Sequence, residues 1–210
     1  CIIFDRRENG ESGGRVEAVG WQHFVRQGAG LLNHLGIDQA HLLGGCMGCP
    51  PVAAFGVAHP EMVLSMTLFW PVGGAKYRIN CHLRFARHLG YVEENGMQAV
   101  VDLVRSHNLN FSQDPSGGPW GNNIRQSDDF AASYAALDPA AYKMTVSAMV
   151  HGLFDRDTAP GAEAEELLAL NLPALIVPGG DDAHATSAAM YLHECLAGSV
   201  YVDIQPRKQS

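Results

Sequence analysis

The stretch Gly44-Gly45-Cys46-Met47-Gly48 constrains this chain more than any other. A short apolar run, Ala40 to Leu43, leads into it, and a small-residue apolar segment, Pro51 to Ala58, leaves it. A strand that turns straight into a helix on one residue forces that residue into a strained backbone conformation. The two backbones also come so close that the residues two positions either side must lack side chains. Gly44-x-Cys46-x-Gly48 meets that demand; it is the spacing of a nucleophile elbow, with a thiol in place of the usual hydroxyl. Such a bend sets its nucleophile at a helix N-terminus, where orphan N–H groups and the helix dipole favour a thiolate. The main-chain N–H of Met47 would then point at a developing oxyanion. The competing reading is an inert cysteine buried between glycines.

At 210 residues the chain has room for one sizeable core, or a core and a cap. Its 47% hydrophobic and 17% charged residues fit a soluble globular protein. The 14 basic and 22 acidic residues give a net charge of −8 with no basic block, which argues against nucleic acid or an anionic membrane as partner. No apolar run approaches the roughly 20 residues of a membrane span, and no signal-peptide layout opens the chain. Five cysteines without even spacing fit reduced thiols, and so a cytoplasmic location, better than a disulfide framework. The first residue, Cys1, has two readings. Either the chain begins inside a fold whose first strands lie upstream, or Cys1 is the attacking residue of an autoprocessed N-terminal nucleophile hydrolase. The alternation of strand and helix that follows favours the former, because such enzymes are layered antiparallel β proteins.

In order, Cys1 to Phe4 reads as a buried strand, ended by the polar loop Asp5 to Gly14. Glu17 to Leu35 carries apolar residues at helical spacing, with Gly36 as its stop. Ile37 to Leu43 returns to the sheet, Pro51 to Ala58 is a buried helix, and Met62 to Trp70 is the next strand. After Pro71-Val72-Gly73-Gly74 the pattern changes. Lys76 to about Leu170 holds helices, clearest at Ala99 to Arg105, Phe130 to Ala136 and Tyr142 to Leu153, but no strand pair. Pro173 to Val177 resumes the sheet, Thr186 to Leu196 is a helix, and Ser199 to Ile204 is a last strand. This order implies a parallel, doubly wound sheet with its site at the strands' C-terminal ends.

Three segments together resemble the α/β-hydrolase superfamily. They are Phe4-Asp5-Arg6-Arg7-Glu8-Asn9-Gly10-Glu11-Ser12, the bend at Cys46, and Leu172-Pro173-Ala174-Leu175-Ile176-Val177-Pro178-Gly179-Gly180-Asp181-Asp182. They fall in the family's order and span nearly all of the chain. The resemblance implies an α/β core over 1–74 and 171–210, mostly a parallel sheet with its first strands missing, and a helical cap inserted over 75–170. It also implies cleavage of an ester, lactone or thioester-type acyl bond. Cysteine replaces serine in relatives such as dienelactone hydrolases.

The resemblance makes Cys46 the nucleophile, Met47 one half of the oxyanion hole and Asp182 the acid that orients a histidine. Asp182 has a second reading as the N-cap of the helix from Thr186, and Asp181 is its near alternative. The family's histidine follows the last strand, yet Gln205-Pro206-Arg207-Lys208-Gln209-Ser210 contains none. Either it lies beyond the end of the sequence or another replaces it: His184 first, His193 second. Arg78, His82 and Arg84, with Tyr77, Trp70 and Trp120, are candidates to line a pocket and hold a substrate carboxylate. Their structural alternative is ion pairing with Glu93-Glu94 or Asp128-Asp129. Cys46-Met47-Gly48-Cys49 also admits a thioredoxin-like redox pair or half a zinc site. A small-molecule substrate is the expected partner, with self-association possible and no cofactor or metal implied. A non-catalytic ligand binder of the same fold is the alternative from another class.

Overall fold

A computed structural model describes residues 1–7, 9–202 and 204. Its contacts divide the chain into two compact units, Gly20–Ile79 with Leu153–Ser210, and Cys1–Val19 with Asn80–Gly152.

The first unit is built on a sheet. Four strands, β1 (Ala40–Gly45), β2 (Val63–Phe69), β3 (Ala174–Val177) and β4 (Ser199–Tyr201), lie side by side in chain order, every pair parallel. Helix α1 (Trp21–His34) buries Trp21, Phe24, Val25, Ala29 and Leu32, a stripe at helical spacing. It starts four residues later than the pattern suggests because Gly20 caps it, its N–H donating to His23 Nδ1 at 3.0 Å. Helix α2 (Cys49–Ala58) is apolar nearly all round and is correspondingly buried, packing on α1, β1 and β2. Met66, Leu68, Ala174 and Ile176 form the buried face of the sheet.

The second unit is helical. The stretch α3 (Ala75–Ser106) begins in the first unit and enters the second at Asn80; it buries Tyr77, Cys81 and Phe85, four residues apart, and breaks at Gly96 (φ 81°). Only its last turns stood out in the sequence, since charged residues dilute the apolar pattern before Gly96. Then follow α4 (Gly121–Gln126), α5 (Asp128–Ala135) and α6 (Pro139–Leu153). Ser127 caps α5 by accepting the Phe130 N–H at 3.1 Å, and Asp128 and Asp129 stand in its first turn, the favourable end for carboxylates. Helices α7 (Ala164–Leu168) and α8 (Thr186–Cys195) return the chain to the sheet unit.

Two expectations change. Cys1 to Phe4 is not a strand: the segment pairs with no other among the described residues and leaves Ile3 92% exposed. A four-residue apolar run is too short for pattern alone to decide, and without a neighbouring ladder its backbone gains nothing from extension. This segment groups with the helical unit by contact, and the unit boundaries fall at 79/80 and 152/153. The last strand stops at Tyr201; Asp203 and 205–210, where the sequence lacks a terminal histidine, lie outside the described residues.

Candidate active site

Cys46 follows the last residue of β1 and opens a single 3-10 turn, Cys46–Gly48, that runs straight into α2. Its φ is +53°, the left-handed region that a non-glycine residue rarely occupies. Its thiol is exposed. Gly44 carries the close approach: a Cβ there would stand 2.4 Å from the carbonyl oxygen of Gly48. Gly48 itself has open space at that position, so the second glycine is not forced by crowding. Met47 comes next in the turn, and its Sδ accepts a hydrogen bond from the Tyr77 hydroxyl.

Cys49 does something different from Cys46. Its Sγ donates to the carbonyls of Gly44 (3.1 Å) and Phe69 (3.4 Å), and burial above all pushes the thiol up to about 12. Cys49 is a strut across the bend, its thiol bonded to the main chain of both β1 and β2. All five cysteines are free thiols, and among the described residues no cluster of histidine, cysteine and carboxylates has the grouping of a metal site.

The loop after β3 supplies an acid and an imidazole. Asp181 Oδ1 accepts the N–H groups of Ala183 (2.8 Å) and His184 (2.9 Å), and both its oxygens lie within 2.9 Å of His184 Nδ1. The hydrogen bond from His184, first among several, holds the Asp181 carboxyl below the usual aspartate range. With Nδ1–H donating to the carboxylate, Nε2 is left as the acceptor; that atom is buried without a hydrogen-bond partner. A Cβ on Gly179 would fall 2.3 Å from the His184 Cβ, so the loop closes this tightly only with glycine there. Asp182 points elsewhere: its carboxylate pairs with Lys76 Nζ at 2.8 Å on the surface. The carboxylate that holds His184 is therefore Asp181. The signal for it was present as the Asp-x-x-His spacing, in which a carboxylate caps its own turn and reaches the side chain three residues on. His193 is tied to Ser199 Oγ (2.7 Å) and rests against the Tyr201 ring.

Register brings these parts to one edge. Gly45 pairs with Phe69 and Phe69 with Val177, so Cys46, Trp70 and Pro178 leave three adjacent strands at the same level. Trp70 also has φ +53°, and its N–H is fixed by the Val177 carbonyl at 2.8 Å. Its ring stacks on Phe69 (centroids 5.3 Å, 8° between planes) and lies 5.8 Å from the ring of His184. The sequence marked Trp70 as a pocket residue but gave no sign of its backbone conformation.

The remaining pocket candidates have structural partners. Arg78 pairs with Asp157 (3.0 Å) and donates to the Phe154 carbonyl (3.3 Å). In the helical unit the Arg84 guanidinium lies over Phe111, His82 packs edge-on to His151, and Trp120 is buried against Tyr134 and Tyr142. Glu93 pairs with Lys143 and Asp128 with Arg105, so one carboxylate of each suggested acidic pair is taken by another cation.

Parallel strands in chain order, a left-handed residue between a strand and its helix, and an acid loop two strands away define the α/β-hydrolase fold, and this chain has it. Solved structures agree. An enol-lactonase from Burkholderia xenovorans superimposes with a TM-score of 0.53 at 21% identity, over 95% of this chain and 70% of the other. A hydrolase from Pseudomonas aeruginosa gives 0.56 at 16% identity, over 96% and 70%. A thermophilic esterase from Thermogutta terrifontis gives 0.55 at 18% identity, again over 96% and 70%. No protein-family model and no curated protein sequence matches the chain.

Proposed function

We propose that the chain is a hydrolase of carboxylic esters or lactones, with thioesters as chemical relatives, working through Cys46 as nucleophile. The observation that carries the reading is the exposed Cys46 thiol on a left-handed turn between β1 and α2. An L-residue held there costs about 1–3 kcal/mol, and such strain concentrates at functional sites. In the reaction, the Cys46 sulfur attacks the acyl carbon while its proton passes to the His184 imidazole. The Met47 N–H stabilises the oxyanion, and the alcohol leaves with the proton from His184. Water, deprotonated by His184, then breaks the thioester and releases the acid and the free thiol. Asp181 orients the imidazole and stabilises its protonated form. The lactonase and esterase activities of two structural neighbours support the substrate class.

The test uses p-nitrophenyl acetate. A burst of about one p-nitrophenol per chain, as expected of an accumulating acyl-enzyme, should vanish in Cys46→Ala. Asp181→Asn should slow turnover by more than Asp182→Asn. Turnover that survives Cys46→Ala would overturn the nucleophile. No turnover in the parent chain, with ester binding retained, would instead mark a non-catalytic binder.

A further inference from the structure

We infer that Trp70 is a positioning residue for His184 rather than part of the substrate wall; this rests on the reading of His184 as the base. Three observations converge on it. Trp70 leaves β2, the strand between the one that carries Cys46 and the one that carries the acid loop. Its backbone sits at φ +53° with its N–H bonded to Val177, so the ring's direction is set by the strained main chain as well as by the rotamer. A bulky residue in this region is a genuine outlier, retained only where its surroundings over-determine it.

The ring has two aromatic neighbours. It stacks on Phe69, nearly parallel. It lies 5.8 Å from the His184 ring, with the planes 54° apart. Asp181 holds the imidazole at Nδ1 and fixes the tautomer. A bond at one ring nitrogen does not by itself set the tilt of the ring plane. Trp70 supplies the second constraint. The bridge between Gly73 and His184, with the Gly73 N–H on the Ala183 carbonyl (3.1 Å), ties the loop after β2 to the same histidine. The segment 70–73 thus positions His184 through both a ring and a backbone contact.

A positioning role and a substrate wall give different kinetics. Removing a wall weakens ground-state binding and raises KM; releasing a catalytic base lowers kcat with KM little changed. With p-nitrophenyl acetate, Trp70→Leu should lower kcat about tenfold, a modest part of what misplacement of a catalytic group can cost, at KM within about twofold. Trp70→Phe, which keeps an aromatic face, should restore most of the rate. The second readout needs no activity. In the NMR spectrum the His184 ring protons, displaced in the parent by the Trp70 ring current, should move toward their free-imidazole positions in Trp70→Leu and stay near the parent positions in Trp70→Phe. Unmoved His184 resonances in Trp70→Leu, or a rise in KM with kcat intact, would overturn the inference. Loss of the ester burst in the parent chain would overturn the hydrolase reading alone and leave the NMR result to decide the placement of the ring.

Discussion

At the scale of single residues the bend at Cys46 separates two kinds of constraint that a glycine-rich motif mixes together. Gly44 is required by space: its missing Cβ is filled by the Gly48 carbonyl. Gly44→Ala should therefore destabilise the chain by about 2 kcal/mol, in the range of overpacking a tight interior, read as a fall in denaturation midpoint at constant slope. Cys46 is constrained by torsion instead. Replacing it with glycine relieves a left-handed penalty of about 1–2 kcal/mol and adds about 0.5–1 kcal/mol of chain entropy. Cys46→Gly should accordingly melt no lower than Cys46→Ala, which keeps the strain. A lower melting point for the glycine variant would mean that the bend is not strained. These positions were legible because a strand-to-helix turn restricts residue type at fixed offsets. The pairing of His184 was less so: Asp181 and Asp182 are adjacent, chemically identical carboxylates, and only the curvature of the loop sends one to the histidine and the other to Lys76.

Among the elements, the strands β1, β2 and β3 could be placed from the sequence because each is a short apolar run bounded by glycine or proline. The helical unit was legible only in part. Its central feature is a chain of buried polar groups that no pattern of hydrophobicity displays. Tyr134 donates to the Tyr142 hydroxyl (2.7 Å), Tyr142 donates to His88 Nε2 (2.6 Å), and His88 Nδ1 donates to the Ser116 carbonyl (2.9 Å). His88, on α3, is fully buried against Tyr142 of α6, and burial, against a smaller opposing effect from the Ser116 bond, holds its imidazole down at about 4. The unfolded chain takes up this proton near pH 6.5, while the folded chain resists until about 4. Between those values the unfolded state binds more protons, so stability falls as the pH is lowered through the window. The full effect is about 3 kcal/mol. Thermal melts at pH 7, 5.5 and 4.5 should show a steeper fall for the parent chain than for His88→Gln, which has no imidazole to protonate. Parallel slopes for the two would show that the buried imidazole does not titrate in this way.

At the scale of the sheet, the described helices of its own unit pack on one face of the four strands. Parallel sheets occur with both faces covered, because each strand between its crossovers is apolar on both sides. Here α2 packs on β1 and β2, and α8 on β3 and β4, over the face that carries Met66, Leu68, Ala174 and Ile176. The opposite face follows from the register: Leu43 pairs with Thr67, Thr67 with Leu175, and Leu175 with Val200, one row across all four strands. Leu43 is 73% and Val200 63% exposed in that row, and Leu175 and Phe69 are exposed beside them. A contiguous apolar surface of this kind attracts other apolar surfaces. The 210-residue chain should therefore bind the dye ANS under native conditions and scatter more light as its concentration rises. Leu43→Lys with Val200→Lys places two ammonium groups in the row without touching the buried face, so the fold should persist by circular dichroism. Dye fluorescence should then fall by about half or more if this row is the surface that the dye reads. Fluorescence unchanged in the double variant would locate the apolar surface elsewhere, and would mean that the row across β1 to β4 is already shielded in solution.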